Sequence, residues 1–456
     1  KAFIPSSVNE STFLNSPKEA AYTWGKSKGF EESKRGLLGI TWNHNTQQRF
    51  KQIMSVFGSF RDSYEPRPFN ILEEYTMAYG IRSRLLGKVQ LFKNPLNVTA
   101  GGEFFKDHYR SKTFQNLYED FPDETGSVKG ISLSDFNEDR SYHNIFLETN
   151  YELCKNILLE FGLNYNKTIY KLKDNFVVSE ANPDQSGSYQ FRRILSPKIG
   201  FSFLANSDIS LYSTVSHGFS PISLAETLLP NGQINTDLKP ETGWNYEVGT
   251  RGAIYKNKLQ FNLALYRSDI KNLVVSRRLA NDQYIGINAG QTRHDGLEIG
   301  LNYSWIDKKQ FELSTFVNGT FNHFKFKEFI DGDDDFSGND LTGVPSILLN
   351  AGMNISTEYG FYGAVNFQQV GSQPMSDSNH LYSDSYALTN LKIGYKNQGL
   401  KKLKINFFIG VDNLFGESYA SQILINARSF NGSPPRYYYP GIPLNYYSGI
   451  KINYVL

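Results

Sequence analysis

Hydrophobic and polar residues alternate with a period of two along most of this chain. In the segment 259–265, Leu259, Phe261, Leu263 and Leu265 alternate with polar or small residues. Strict alternation of this kind indicates β-strands that have one apolar face. Further segments with the same alternation are 297–303, 403–411 and 450–456.

The number and length of these segments favour a membrane-spanning sheet. They predict about eighteen strands, many of about ten residues or more, which is close to the nine to eleven needed to cross a bilayer on a tilt. Connections alternate between short ones, such as TEYG and IDKKQ, and long ones, such as KFKEFIDGDDDFSGNDLTGVP. Outer-membrane barrels have this asymmetry of short periplasmic turns and long outer loops. We therefore predict a single all-β domain over 1–456, a transmembrane antiparallel up-and-down β-barrel.

Composition agrees with this fold and excludes several kinds of partner and site. Aromatic residues make up 15% of the 456 residues, a strand signal, and the net charge of +2 gives no basic stripe for nucleic acid. The single cysteine, Cys154, excludes an internal disulfide and is expected beside a short turn. No window of 18 consecutive apolar residues predicts a transmembrane helix.

Motifs for catalysis or for a resident metal are absent from the sequence. The seven histidines are scattered, and neither a nucleophile elbow nor a phosphate-binding glycine loop occurs. Asp331, Asp333 and Asp335 have the spacing of a calcium loop, but Phe336 and Thr342 replace the required Gly and Glu. We predict a solvated acidic loop, no enzymatic activity and no cofactor.

Several segments resemble, in order, those of TonB-dependent outer-membrane receptors. LKPETGWNYEVG is similar to the family's LKPE segment, which places its motif at Pro240, Glu241, Glu247 and Gly249. DNLFGESY is similar to the NLF element before the last outer loop. That element covers Asn413, Leu414 and Phe415. Upstream, TWGKSKGFEESKRGLLG resembles the branch of ferric citrate and ferric siderophore receptors.

The resemblance implies a barrel of 22 strands that holds an N-terminal plug. Because the plug is not visible and about eighteen strands are counted, the plug and the first four strands are expected to be absent from this chain. The implied function is uptake of a ferric siderophore or ferric citrate-like chelate through the outer membrane of a Gram-negative bacterium. The implied partners are the TonB–ExbB–ExbD complex, a plug domain, outer-membrane lipid and lipopolysaccharide, and a surface lipoprotein.

Ligand contacts are expected in the long outer loops. Anionic ferric chelates suit the charge-assisted bonds of Arg and the stacking area of Tyr. An interface-belt Tyr or a lipopolysaccharide-contacting Arg explains each of these side chains as well. The candidates are Arg277, Arg278, Arg436, Tyr437, Tyr438 and Tyr439.

Two other functional classes fit the same strand pattern. A chain without a plug would form a passive pore or a structural barrel in a larger outer-membrane complex. TonB-dependent uptake of haem, cobalamin or an oligosaccharide would use the same scaffold. A soluble β-rich protein would require a second sheet to bury the apolar face.

Overall fold

A computed structural model shows a chain composed almost entirely of β-strands. It describes residues 1–46, 49–121, 126–179, 183–223, 235, 237–278, 284–288, 290–397, 403–429 and 432–454. Two short helices, α1 (Glu10–Asn15) and α2 (Tyr22–Ser27), lie near the start of the chain. No helix in this described part is long and apolar enough to cross a membrane.

The strands follow one another in chain order. They are β1 (Ala2–Phe3), β2 (Phe30–Thr46), β3 (Phe50–Arg67), β4 (Asn70–Leu91), β5 (Asn94–Asn116), β6 (Lys129–Cys154), β7 (Ile157–Asp174), β8 (Gly187–Gln190), β9 (Ile194–Leu204), β10 (Ile209–Ser220), β11 (Glu241–Ile254), β12 (Leu259–Lys271), β13 (Val274–Arg278), β14 (Tyr284–Asn288), β15 (Gln291–Lys308), β16 (Phe311–Glu328), β17 (Ile330–Asp331), β18 (Asp334–Asp335), β19 (Ile347–Thr357), β20 (Phe361–Val370), β21 (Tyr386–Lys396), β22 (Leu403–Asp412), β23 (Ala420–Ile423), β24 (Tyr438–Pro440) and β25 (Asn445–Tyr454).

One large antiparallel sheet contains 19 of these strands. Two of the 19, β1 and β8, are short additions, which leaves seventeen strands that each pair with the next long strand along the chain. This order confirms the predicted up-and-down topology, with seventeen long strands where about eighteen were expected. Within the described residues, β25 pairs only with β22, and β2 pairs only with β3 and β1.

The connections confirm the predicted asymmetry between the two ends of the sheet. At the turn end, residues 155–156 join β6 to β7 beside the exposed Cys154, and residues 309–310 join β15 to β16. At the loop end, the connections include 117–128, 329–346 and 413–444. The long loops define the outer side of an outer-membrane barrel.

The sheet has one apolar and one polar face. Register pairs Ile145 with Tyr165 and Leu147 with Leu163, and three of these side chains are 43–60% exposed on the apolar face. The opposite, polar face carries ion pairs such as Lys198 to Glu160, at 2.7 Å. A continuous exposed apolar surface of this kind requires a lipid environment, because water would not solvate it favourably.

Among the described residues, clusters of buried apolar side chains occur only at the loop end of the sheet. Tyr170 and Leu172 lie near the outer end of β7, on the face that is polar lower down the strand. The loops on either side cover them. Tyr189, Phe191, Ile222 and Leu238 complete this cluster. The loops are therefore folded against the mouth of the sheet, where they can present fixed side chains to the outer side.

Candidate functional site

A cavity of about 650 Å³ lies at the loop end, between the N-terminal segment 1–29 and the last long loop. The short β3–β4 turn and the β5–β6 loop complete its wall. The lining side chains that bear on ligand chemistry are Glu19, Tyr22, Trp24, Phe69, Tyr118, Arg428 and Arg436.

Local capping and pairing hold the N-terminal wall in place. Asn9 has an extended backbone, and its Oδ1 accepts a hydrogen bond from the Thr12 backbone at 2.9 Å, which caps α1. The Val8 and Tyr438 backbones exchange hydrogen bonds of 2.8 and 3.1 Å. The ring of Phe13 stacks on Tyr438, with centroids 4.8 Å apart. The start of the chain is thus attached directly to the last loop.

Two arginines give the cavity its positive charge. Arg436 is half-buried and Arg428 is exposed. Neither guanidinium has a hydrogen bond or ion-pair partner among the residues that the structure describes. Glu19 is the only carboxylate in the cavity lining within that same set. The site therefore has an excess of positive charge and unused donors.

Aromatic rings line the same cavity as these arginines. Trp24 and Phe69 meet edge to face with centroids 6.4 Å apart, and the Arg67 guanidinium lies 4.9 Å from the Phe69 centroid. Burial, followed by a hydrogen bond to Glu119, raises the pKa of Tyr118 to about 12. The Tyr118 hydroxyl consequently stays protonated near neutral pH. The cavity thus combines cationic donors with flat apolar surface.

The structure places the predicted ligand residues in two different loops. Arg436 lies in the cavity wall, and Tyr437 and Tyr438 follow it directly. The ring of Tyr438 packs on Phe13. Burial raises the pKa of the Tyr437 and Tyr438 hydroxyls. Tyr439 pairs with Gln422 in the β23–β24 hairpin. These tyrosines support the wall of the cavity.

Arg277 and Arg278 belong to a separate hairpin. Their backbones in β13 pair with Ile285 and Tyr284 of β14, and their side chains lie outside the described residues. Among the residues that the structure describes, those that line the cavity all come from other segments. A ligand role for this pair stays a prediction.

Sequence reasoning missed Arg428, Trp24, Phe69 and Tyr118. Arg428 could have been predicted from the sequence, because it lies in the same long loop as Arg436. The other three come from the N-terminal segment, a two-residue turn and a third loop. Only the tertiary arrangement brings them together.

The LKPE motif shapes the start of a strand. Pro240 directly precedes β11, so its missing donor costs no ladder bond. The Glu241 carboxylate accepts a 2.7 Å hydrogen bond from the Val274 backbone, which fixes the following loop. Glu247 lies on the polar face, opposite Tyr266. Gly249 lies opposite Tyr212, where a Cβ would approach the ring to 2.5 Å.

The NLF motif anchors the last outer loop. Asn413 is 3% exposed and left-handed, with φ of 51°, and its side chain bonds to both the N–H and the carbonyl of Glu417 at 2.8 Å. The Leu414 backbone donates to Thr389 at 2.8 Å, while Phe415 is 78% exposed. Asn413 and Leu414 hold the start of the loop through these hydrogen bonds. They do not line the cavity.

The acidic loop gives no metal site in the part of the chain that the structure describes. No three His, Cys, Asp or Glu residues are grouped so that they could hold an ion there. Asp331 and Asp334 pair in the short β17–β18 hairpin.

The family pattern described as "TonB dependent receptor-like, beta-barrel" matches residues 3–414. This chain is a TonB-dependent receptor β-barrel. Such barrels are receptors and transporters of the Gram-negative outer membrane, so the apolar face of the sheet faces lipid and the loop end faces outward.

Among curated relatives, the chain is 22% identical over 286 residues to the probable TonB-dependent siderophore receptor PiuA of Acinetobacter baumannii. This match covers 59% of the chain and 36% of the relative. It is 29% identical over 188 residues to the ferrioxamine receptor of Yersinia enterocolitica, covering 41% of the chain and 24% of the relative. The chain thus matches about a third or less of the length of these relatives.

Solved structures show the same fold. The unliganded ferric citrate transporter FecA aligns with a TM-score of 0.78 at 15% identity, over 99% of this chain and 65% of that one. The siderophore receptor PiuA from Acinetobacter baumannii aligns with a TM-score of 0.73 at 14% identity, over 94% and 65%. Both confirm the predicted barrel architecture.

Proposed function

We propose that this barrel belongs to a receptor that takes up an anionic ferric chelate, a siderophore or citrate complex, with energy from the TonB–ExbB–ExbD complex. The observation that carries the proposal is the outer cavity, where Arg428 and Arg436 have no partner among the described residues and share the lining with aromatic rings. Guanidinium groups suit carboxylate and catecholate oxygens, and the rings suit the flat organic part of a chelate. The relatives named as siderophore, ferrioxamine and ferric citrate receptors support a ferric chelate as the cargo.

A plug and further barrel strands form part of the same proposal. Because the chain corresponds to about 65% of the solved receptors, we propose that it is the barrel domain of a longer polypeptide. The intact mass of the native protein from outer membranes tests this idea. A mass well above 51.9 kDa is expected, whereas a mass of 51.9 kDa would require a separate plug chain or a passive pore.

Fluorescence quenching tests the cargo and its site together. Trp24 lies in the cavity wall, so a bound ferric chelate should quench its emission in the purified receptor. The panel consists of ferric citrate, a ferric catecholate and ferrioxamine. Replacing Trp24 by Phe should remove most of the quenching and leave the affinity for the chelate, measured with the radioactive iron complex, largely intact.

Charge removal tests the role of the arginines. Each charge-assisted bond contributes about 1.5–3 kcal/mol, so Arg428→Gln and Arg436→Gln should each weaken binding of the anionic chelates by about tenfold or more. Arg193→Gln is the matched control, since Arg193 is an exposed arginine near the loop end and outside the cavity. Equal affinity in all three variants would contradict the proposed site.

A further inference from the structure

The walls of the outer cavity carry charges of opposite sign. Arg428 and Arg436 come from the last long loop, and Glu19 comes from the bend between α1 and α2. The exposed Glu19 carboxylate has no hydrogen bond or ion pair with any residue that the structure describes. It therefore lies more than 4.0 Å from both guanidinium groups, although all three side chains line one cavity.

An indole ring belongs to the same wall as this carboxylate. Trp24 follows Glu19 on the N-terminal segment, and both residues line the cavity. The chain folds back between them, so that the Ala20 methyl group lies 3.8 Å from the position that a Cβ at Gly25 would take. The N-terminal wall thus brings a carboxylate and a large aromatic ring to the same part of the cavity.

Neighbouring rings of this wall already hold cations. The Lys26 ammonium lies 4.6 Å from the centroid of the Tyr22 ring, and the Arg67 guanidinium lies 4.9 Å from the centroid of Phe69. Trp24 has no cation over its ring among the described residues. Trp is the aromatic side chain that attracts cations most strongly, so this ring is available to a cation of the ligand.

Glu19 has a consequence for the choice of cargo. A carboxylate in the lining repels a chelate that carries only negative charge, and it attracts one that also carries a cation. A carboxylate together with an aromatic ring suits an ammonium group, because the ring adds its own attraction to that of the charge. The arginines and Glu19 together therefore match a cargo that has both kinds of charge.

We propose that the cargo carries an ammonium group in addition to its anionic oxygens, and that Glu19 and Trp24 bind this ammonium. This inference rests on the proposed function, since it adds a second contact to the same cargo in the same cavity. The arginines bind the oxygens around the iron. The N-terminal wall selects among ferric chelates by the presence of a free amine.

Two matched probes test the ammonium subsite. Ferric ferrioxamine B has a pendant ammonium, whereas its N-acetyl derivative has the same trishydroxamate core and no such charge. Measured with the radioactive iron complexes, the purified receptor should bind the first about tenfold more tightly than the second. Glu19→Gln and Trp24→Leu should each reduce this preference to about threefold, because each removes one of the two contacts. Glu10→Gln, which neutralises an exposed carboxylate of α1 outside the cavity lining, should keep the full preference.

Ferric citrate, which has no amine, should respond in the opposite direction. Glu19→Gln removes a repelling charge and should tighten ferric citrate binding severalfold, an effect that misfolding cannot mimic. Equal affinity of the native protein for the two ferrioxamine probes, or an unchanged preference in Glu19→Gln, would overturn the ammonium subsite. The proposed function would still stand if Arg428→Gln and Arg436→Gln weakened citrate binding. If the native protein bound none of these ferric chelates, the proposed function and the subsite would both fail.

Discussion

Asn413 shows how one side chain determines the position of an entire outer loop. Its side-chain amide accepts from the Glu417 N–H and donates to the carbonyls of Glu417 and, at 3.1 Å, of Ile442 near the end of the loop. Asn tolerates the left-handed backbone at this position better than other residues that have a Cβ.

We expect Asn413→Ala to loosen this loop. The substitution leaves buried backbone groups unpaired and strains the backbone, at a combined cost of about 2–4 kcal/mol. Limited proteolysis of the folded protein should then cut within 413–444 much faster. Phe415→Ala, which truncates an exposed ring two residues away, is the control and should leave the rate unchanged. Equal rates in the two variants would show that Asn413 does not anchor the loop.

At the scale of the strands, aromatic rings on one strand cover glycines on the next. Tyr212 lies opposite Gly249, and Tyr266 lies opposite Gly296. A Cβ at either glycine would come within 2.5 Å of the facing ring. This pairing explains why a family-motif position is Gly, since the ring occupies the space of a side chain.

Gly249→Ala should therefore destabilise the barrel. Its Cβ would also lie 2.7 Å from the Leu263 carbonyl, so moving the Tyr212 ring cannot relieve all of the overlap. Overpacking of this kind costs about 1–3 kcal/mol. The midpoint of thermal unfolding, followed by heat-dependent gel mobility, should fall. Gly218→Ala, where a Cβ meets nothing within 4 Å, should keep the native midpoint.

Three outer loops are connected through Asp377. Its carboxylate accepts hydrogen bonds from Thr342 and, at 3.0 Å, from Asn426, while its backbone carbonyl accepts from Asn339 at 2.8 Å. Asp377→Ala should speed hydrogen exchange in both 329–346 and 413–444, because the loops share this partner. Asp333→Ala removes an exposed carboxylate from one of these loops and should change neither rate. Faster exchange confined to one loop would contradict the coupling.

At the scale of the whole molecule, the sequence was sufficient for the fold and insufficient for the site. The alternation of apolar and polar residues around Leu263 and Phe161 predicts which face of the sheet contacts lipid. The lengths of the loops predict which end of the sheet faces outward. Trp24 and Arg436 are separated by most of the chain, and no local pattern records that the N-terminal segment pairs with the last loop. A cavity built from loops depends on contacts between distant residues, which periodicity does not encode.

The two faces of the sheet predict opposite responses to charge. Leu263 lies near the middle of the apolar stretch of β12, and the adjacent Asn262 lies on the polar face. Leu263→Arg should cost about 2–4 kcal/mol of folding free energy, because a guanidinium at the bilayer midplane loses its hydration. Asn262→Arg adds the same group to the polar interior of the barrel and should cost little. Reversible unfolding in lipid vesicles by guanidinium chloride measures both values. Similar losses in the two variants would mean that the exposed apolar face does not meet lipid, and the orientation of every strand would have to be reversed.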